Sequence, residues 1–256
     1  MRGSLKSPPV SNSASRSSAG GEAAAPAAKI HLHPTAPLAE RVLLPGDPGR
    51  ALMLAQALLE QPLMFNHNRG LWGYTGDALT DGKPLTIQAT GMGGPSAAIV
   101  LSELIALGAR RAIRVGTCGA LAEGMQLGEL VIARESICAD GVSRALGGGE
   151  RVAADPELTA ALRRSDPTAR LGTIVSVDLF YEREGSPRAD SHGDALAVEM
   201  EAAALFALGA AEGLPVACLL AVSDTFDASG TRTRIDAEAL RVAAERMGAI
   251  ALTALG

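Results

Sequence analysis

From residue 41 to its end, the chain alternates short apolar segments with longer segments whose apolar residues recur every three or four positions. Such alternation is typical of strands joined by helices, and it predicts a mixed, mostly parallel sheet covered by helices on both faces. The chain has 256 residues, of which 47% are hydrophobic, enough for one sizeable core. The sequence therefore predicts a single α/β domain in three layers, helix, sheet and helix.

The same pattern predicts the individual elements. Strands are expected at 41–44, 85–90, 111–115, 129–133, 173–177, 196–200 and 216–222. Helices are expected at 50–60, 95–107, 156–164, 201–212 and 236–254. Asp155 is the expected N-cap of the helix that follows it, because its side chain can accept a free backbone N–H.

The first 28 residues differ from the rest in composition. They are rich in Ser, Ala, Pro and Gly and hold few large apolar side chains. Such a segment buries too little surface to offset the entropy of ordering, so we expect residues 1–28 to be disordered and residues 29–256 to form the domain. Basic residues recur there, but no apolar core follows, which argues against a secretory signal.

Charge and hydropathy exclude two classes of partner. The net charge is −5 and the basic residues are scattered along the chain, which argues against a nucleic-acid surface. No run of about 18 apolar residues occurs in the sequence, so no membrane span is expected.

The metal-ligating residue types show no ligand spacing. The cysteines, which lie in apolar surroundings without paired spacing, are Cys118, Cys138 and Cys218. The histidines are His31, His33, His67 and His192. This usage predicts reduced thiols in a cytoplasmic protein, with no metal site and no disulfide framework.

Unusual residues follow the predicted strands. In open parallel sheets, ligands bind beyond the carboxyl ends of the strands. The segments found there are PGDPGR (45–50), GMGGPS (91–96), RVGTCGA (114–120), SVDLFY (176–181), VEMEAA (198–203) and VSDTF (222–226). Glycine, arginine, hydroxyl and acidic residues therefore converge on one edge of the sheet, which predicts a pocket.

The glycines of GMGGPS first suggest a dinucleotide site. Position 96 is serine rather than glycine, and Arg110 and Arg111 stand where an acidic residue is expected. These departures argue against a dinucleotide. A glycine turn remains, whose backbone N–H groups can approach an anion or a sugar closely.

Two arginines lie in or beside these segments with other donors. Arg50 can donate two bonds to an oxyanion beside the amide of Gly46. Arg114 falls in an apolar strand, where an unpaired guanidinium is costly, and Thr117 is expected in the glycine turn that follows. The set has the size of a phosphate site without a P-loop lysine, although for PGDPGR an ordinary turn with a solvated arginine is the alternative.

Glu199 and Glu201 interrupt an almost wholly apolar stretch at 195–210. In a strand they share one face and Met200 takes the other. Buried carboxylates are costly unless something donates to them. Either they are acids at a helix N-terminus, or their donors arrive with a ligand such as a pair of sugar hydroxyls.

Together and in this order, these motifs and the segment NRG…GYTG (68–76) resemble the nucleoside phosphorylase family of trimeric or hexameric build, from about His31 to Leu255. The greatest similarity is to bacterial hexameric purine nucleoside phosphorylases and to uridine phosphorylases. It implies reversible phosphorolysis of a nucleoside with phosphate as co-substrate, no metal and no organic cofactor. It also implies a homo-oligomer, a hexamer built from dimers with shared active sites.

The resemblance also implies roles for the matched residues. Phosphate would be held by Gly46, Arg50, Arg114 and Thr117, and by Arg69 of a neighbouring subunit. The ribose side would be formed by Met92, Met200 and Glu201, with Glu199 in support and His31 or His33 reaching the neighbour's sugar. The base would contact Phe180, Val198 and Asp224, and the catalytic residues would be Asp224, facing the purine N7, and Arg114.

The choice between purine and pyrimidine depends on two segments. The uridine enzymes use a Gln-x-Arg pair after the Phe-Tyr, and the segment 181–190 holds no glutamine. Ser223 and Asp224 match the purine enzymes, whose aspartate has an arginine partner; Arg232, Arg234 or Arg241 can fill that place. We therefore expect a purine nucleoside phosphorylase, with a uridine phosphorylase, a hydrolytic nucleosidase and a nucleoside-binding module as alternatives.

Overall fold

A computed structural model of the chain describes residues 29–181, 193–227 and 230–256. The expected disordered extension, residues 1–28, lies outside the described residues. The strands are β1 Arg41–Leu44, β2 Leu59–Asn66, β3 Gly73–Ala78, β4 Pro84–Gln88, β5 Arg111–Ala120, β6 Leu130–Ala139, β7 Arg151–Ala153, β8 Arg170–Val177, β9 Ala195–Glu199, β10 Val216–Phe226 and β11 Arg232–Arg234. The helices are α1 Pro48–Leu58, α2 Gly94–Leu107, α3 Gly141–Ala145, α4 Pro156–Ser165, α5 Ala202–Glu212 and α6 Ala237–Leu255, with a 3₁₀ turn at Asn68–Gly70.

The strands form one mixed sheet, part of which closes on itself. Strand β1 pairs in parallel with β4 and β5, and the antiparallel β2–β3 hairpin extends the sheet beyond β4. On the other side of β5, a ring of pairings runs β5–β10–β6–β8–β9 and returns to β5. Closure leaves these five strands without a free edge and brings β5, β9 and β10 together.

Helices cover both faces of the sheet. Along β10, Ala217, Leu219 and Ala221 pack in a core with residues of α1, α4 and α6. The alternate residues, among them Cys218 and Leu220, pack in a second core with residues of α2 and α5. Successive side chains of a strand point to opposite faces, so the two cores lie on opposite sides of the sheet and the predicted three layers are confirmed.

Local chemistry explains where the helices begin. The side chains of Asp47, Asp155 and Asp236 accept the free backbone N–H groups at the starts of α1, α4 and α6. The predicted cap at Asp155 is thereby confirmed, at 2.8 Å from the Leu158 nitrogen. None of the helices in the described ranges is both long and apolar enough to cross a bilayer.

Each predicted strand and helix is found, most of them with shifted ends, and the change that matters most to the predicted site concerns β5. This strand continues to Ala120, so the expected glycine turn after Arg114 is wrong and Thr117 lies inside the strand. Pairing with β10 as far as Val222 and beyond keeps β5 extended. Gly116 is needed within it, because a β-carbon there would lie 2.7 Å from the Arg114 guanidinium and 3.0 Å from Leu220.

The elements without predicted bounds are β2, β3, α3, β7 and β11. Antiparallel strand pairs are therefore more numerous than the alternation of strands and helices in the sequence suggests. Several of these pairs involve hairpins and short edge strands, whose sequences carry little apolar periodicity.

Candidate active site

The segments that follow the strands meet at one edge of the sheet, as predicted. The loops after β1 and β4 are tied together, since Gly91 donates its N–H to the carbonyl of Gly46 at 3.0 Å. Gly119 near the end of β5 lies opposite Val198 of β9 and Asp224 of β10. The sheet therefore brings the predicted phosphate, sugar and base residues to one region.

Arg114 is the centre of the buried charge. Its Nε donates to Glu199 at 2.9 Å and its Nη2 donates to Glu201, and the side chain is only 3% exposed. Burial acts to lower the pKa of this guanidinium, but Glu201 and Glu199 raise it above its usual value. Arg114 therefore stays charged.

The third nitrogen of Arg114 is unused. Nη1 is buried and has no hydrogen-bond partner in the described part of the chain. It faces the loop after β1, because a β-carbon on Gly46 would lie 3.8 Å from it. A buried donor without an acceptor costs about 1–3 kcal/mol, so this edge of the site suits an anion.

Arg50 supplies a second cation beside the first. It lies in the first turn of α1, where Asp47 accepts its backbone N–H at 2.7 Å. Burial lowers the pKa of its guanidinium, Asp47 opposes this, and Arg114 adds electrostatic repulsion. Among the residues described, neither a carboxylate nor another acceptor pairs with the guanidinium. Two neighbouring arginines therefore have N–H groups to spare.

Glu199 serves the fold of the site. Its carboxylate accepts the backbone N–H groups of Glu201 at 2.9 Å and Ala202 at 3.0 Å, together with donors from Arg114 and Ser176. A carboxylate offers about four acceptor sites, so the chain itself fills them. Burial raises the pKa of Glu199, and Arg114 opposes the rise. Of the two interpretations of these glutamates, the first therefore applies to Glu199: it is an acidic residue that accepts free N–H groups at a helix N-terminus.

Glu201 keeps acceptor sites open. One oxygen binds Arg114, and the other accepts the backbone N–H of Gly93 at 2.5 Å. Each oxygen retains room for a further donor, which suits two neighbouring hydroxyls. Met200 is half-buried next to it, while Met92 on the β4–α2 loop is 88% exposed.

Asp224, one of the residues predicted to contact the base, lies near the end of β10. Its Oδ1 accepts Arg232 Nε at 2.7 Å and Arg234 Nη1 at 3.2 Å, and its Oδ2 accepts Ser223 Oγ at 2.6 Å. Burial acts to raise the pKa of this carboxyl, but Arg232, Ser223 and Arg234 lower it below its usual value. Asp224 is therefore ionised at neutral pH.

The same contacts separate the three candidate arginine partners of Asp224 into two groups. Arg232 and Arg234, on β11, reach Asp224. Arg241 instead binds Glu238 and Glu245 on the exposed side of α6.

Aromatic side chains surround the base region. Phe180 is 52% exposed, and the guanidinium carbon of Arg232 lies 4.8 Å from its ring centre. A β-carbon on Gly119 would lie 3.2 Å from Val198 and 3.3 Å from Phe226, so a side chain there would crowd both. Gly119 was not among the predicted site residues. The available signal in the sequence was a glycine inside a strand, which often marks a close approach of a ligand or of another backbone.

The predicted cross-subunit residues lie together, and their contacts are with residues outside this set. Asn68, beside Arg69 in the exposed 3₁₀ turn, donates to the His31 carbonyl at 2.9 Å. The His31 ring lies 2.7 Å from the buried carboxylate of Glu103, and His33 contacts the Ile30 carbonyl instead. In the described ranges, no hydrogen bond or ion pair joins Arg69 or His31 to the arginines and glutamates above.

Two buried serines were missed. Ser176 Oγ donates to Glu199, accepts the Ala203 N–H at 2.9 Å and lies 2.9 Å from Ser136 Oγ. Ser176 is the first residue of the SVDLFY segment, one of the segments that follow the predicted strands. Nothing in the sequence around Ser136 points to the site.

Three further predictions concern Thr117, metal-ligating groups and the segment after Tyr181. Thr117 is half-exposed on β5. The described residues contain no group of three or more His, Cys, Asp or Glu side chains that could hold a metal. Most of the segment whose lack of glutamine favoured a purine, 182–190, lies outside the described residues.

Comparisons with known proteins point to one family. Residues 40–256 match the family model described as Phosphorylase superfamily. A protein named Purine nucleoside phosphorylase DeoD-type from Alkaliphilus metalliredigens is 37% identical over 204 residues, which cover 77% of this chain and 87% of the relative. Proteins of the same name from Clostridium beijerinckii (37% over 209 residues, 77% and 86%) and Bacillus cytotoxicus (36% over 196 residues, 73% and 82%) are also similar.

Proposed function

This chain belongs to the phosphorylase superfamily, and we propose that it catalyses the reversible phosphorolysis of purine ribo- and deoxyribonucleosides. The products are the free base and a pentose 1-phosphate. Inorganic phosphate is the co-substrate, and neither a metal nor an organic cofactor enters the reaction. The relatives that are similar over most of their length carry the name of this activity.

One observation carries the proposal: unpaired arginine donors lie beside a carboxylate with open acceptor sites. The buried Nη1 of Arg114 has no partner among the described residues, and Glu201 is bound to the same guanidinium. Phosphate can accept from Arg114, from Arg50 and from the Gly46 amide, because each of these is a donor. The ribose hydroxyls can donate to Glu201.

The arrangement favours a particular transition state. A phosphate oxygen forms a bond to C1′ on the face opposite the base while the bond from C1′ to N9 breaks, and its electron pair goes to the purine. Positive charge grows on the sugar ring, between the phosphate and Glu201. Positioning and electrostatics supply most of the acceleration, since the chain adds no covalent step of its own.

Asp224 is the general acid in this scheme. The leaving purine gains negative charge, and a proton delivered to N7 neutralises it. Because Arg232 and Arg234 keep the resting carboxyl ionised, Asp224 takes up that proton only when the substrate is bound. The base packs between Phe180 and Val198.

The active assembly is a homo-oligomer, a hexamer built from dimers, in which Arg69 and a histidine reach the neighbouring subunit's site. Support comes from their placement: Arg69 and His31 share one surface and make no bond to the Arg114 cluster within the described chain. We assign the sugar contact to His31, whose Nδ1 is anchored by Glu103.

The test is release of base from a panel of inosine, adenosine, guanosine and uridine, with and without phosphate. We expect phosphate-dependent release from the purine nucleosides. Arg50→Ala should raise KM for phosphate by about 10- to 100-fold, the usual value of a charge-assisted bond, and Arg110→Ala, at an exposed position, should not.

The rival functions give different results. Equal release without phosphate would indicate a hydrolytic nucleosidase, and release from uridine alone would indicate a uridine phosphorylase. Binding of nucleosides without release would indicate a binding module.

A further inference from the structure

We propose that Asn66 is a positioning residue for the neighbouring subunit's active site, because its buried amide ties the Arg69 turn (Asn68–Gly70) and the His31 segment into one unit. The inference rests on the proposed function, in which Arg69 and His31 act across an interface. It adds the residue that sets their geometry.

Asn66 reaches two separate stretches of backbone. It is the last residue of β2 and is fully buried. Its Oδ1 accepts the His33 backbone N–H at 2.8 Å, and its Nδ2 donates to the Leu71 carbonyl at 2.6 Å. One side chain therefore holds the segment that carries His31 and the end of the turn that carries Arg69.

Two further side chains hold the same turn. Asn68 Nδ2 donates to the His31 carbonyl at 2.9 Å, which is a second link between the two stretches. The fully buried Gln88 donates its Nε2 to the Leu71 carbonyl at 2.9 Å. Gly73 leaves room for this amide, because a β-carbon there would lie 2.0 Å from Gln88 Oε1. The Leu71 carbonyl thus accepts from two buried amides.

The conformation of the turn depends on such support. Arg69 has a positive φ of 58°, which a non-glycine residue keeps only where its surroundings hold it. A buried amide is costly unless its donor and acceptor are both used, and Asn66 uses them on the two stretches. The turn and the His31 segment are therefore set together, before a substrate arrives.

The consequence falls on the partner's site. In the proposed assembly, Arg69 donates to phosphate and His31 contacts the sugar of the same neighbouring site. An arginine on a loosened turn loses more conformational freedom when phosphate binds, so binding weakens. The chain's own Arg50 and Arg114 make no described hydrogen bond to Asn66 and keep their positions.

Steady-state kinetics on single variants is the first measurement. Asn66→Ala removes both ends of the amide, and kcat/KM for phosphate should fall by roughly 10- to 100-fold, the effect of a small misplacement of a positioned group. Asn66→Asp keeps the size and the acceptor for His33 but turns an oxygen toward the Leu71 carbonyl, so it should fall similarly and replaces the alanine variant if that fails to fold. Thr86→Val is the matched control, since it removes a fully buried hydroxyl of β4 that accepts the Ala39 N–H at 2.9 Å, and it should leave kcat/KM unchanged.

Mixed oligomers show which site the lesion affects, at a phosphate concentration well below the raised KM. Asn66→Ala mixed with Arg50→Ala should recover activity, because the first chain's own site has Arg50 and receives an intact turn from the second. Asn66→Ala mixed with Arg69→Ala should not recover, because every site then receives a damaged turn. A residue that supported its own chain's site would give the reverse pattern.

The reference mixture is Arg50→Ala with Arg69→Ala. Rescue there, with any other pattern for Asn66→Ala or with unchanged kcat/KM in both Asn66 variants, would overturn the inference and leave the proposed function standing. No rescue in the reference mixture, once subunit exchange is demonstrated, would overturn the shared sites and this inference with them. Absence of phosphorolysis by the wild type would overturn the proposed function itself.

Discussion

Among single residues, the arginines of this site are partnered in opposite ways. Arg232 and Arg234 are paired with Asp224, whereas Arg50 and one nitrogen of Arg114 have no partner in the described chain. Paired cations keep a carboxylate ionised, and unpaired donors invite an anion. Arginine therefore serves two functions here. Whether its guanidinium is paired with a carboxylate shows which function it has.

Asp224→Asn tests whether Asp224 is the general acid. Asp224→Asn keeps the size of the side chain and an acceptor for Arg232 but cannot transfer a proton. We expect kcat for inosine to fall by roughly 10²–10⁴, the usual share of general acid catalysis. A 7-methylated purine nucleoside is already cationic and should be much less affected.

Steady-state kinetics on both substrates tests this, with Asp77→Asn, at an exposed position of β3, as the matched control. If Asp224→Asn slowed both substrates equally, Asp224 would act by positioning the base and another group would supply the proton.

At the scale of elements, one buried hydroxyl joins four of them. Ser176 of β8 contacts Ser136 of β6, the Glu199 carboxylate at the end of β9 and the Ala203 N–H in the first turn of α5. These are the elements that hold Glu199 and Glu201 against Arg114. The network is buried, so water is a poor substitute for any missing member.

Removal of that hydroxyl should therefore be costly. Ser176→Ala leaves a buried carboxylate and a buried N–H each short of a partner, and we expect the free energy of unfolding to fall by about 1–3 kcal/mol. Ser165→Ala is the control, since that hydroxyl bonds only a carbonyl of its own helix at 2.9 Å.

Urea denaturation at neutral pH measures both variants. A loss in Ser176→Ala no larger than in Ser165→Ala would mean that the network relaxes or takes up water. In that case Ser176 would not position the glutamates.

At the scale of the whole molecule, Arg69 is exposed and makes no hydrogen bond or ion pair to the Arg114 cluster within the described residues. Arg69 has a positive φ of 58° in an exposed turn. A non-glycine residue in this conformation is strained and persists where the surroundings hold it. Asn66 and Asn68 bind the backbone around this turn, which fixes Arg69 as an outward-facing group.

Hybrid oligomers test whether Arg69 acts across an interface. At a phosphate concentration well below the raised KM, Arg69→Ala and Arg50→Ala should each be nearly inactive alone. In a mixed dimer, one site receives Arg50 from the first variant and Arg69 from the second, so it carries neither lesion. With random exchange, half of the dimers are mixed and about a quarter of all sites are intact.

Base release after subunit exchange is the measurement, and the control is a chain carrying both substitutions mixed with either single variant. Absence of rescue, once exchange is demonstrated by mass spectrometry, would place Arg69 in its own chain's pocket or on the surface.

The sequence by itself determined the order of the main elements and the residue types at the site. Apolar periodicity and N-caps such as Asp155 act within a few residues, so a linear pattern records them. The segments after the strands converge as predicted, because parallel pairing brings their carboxyl ends to one edge.

The tertiary structure decided which of these residues are partners. Thr117 lies in a strand because β10 pairs with β5, and the partner of Asp224 proved to be on β11 rather than on α6. Arg114 meets Glu199 and Glu201 across 85 and 87 residues, and Ser176 meets Ser136 across 40. Such contacts depend on closure of the strand ring, and no local pattern encodes pairing between segments so far apart, which is the physical reason that only the folded chain reveals them.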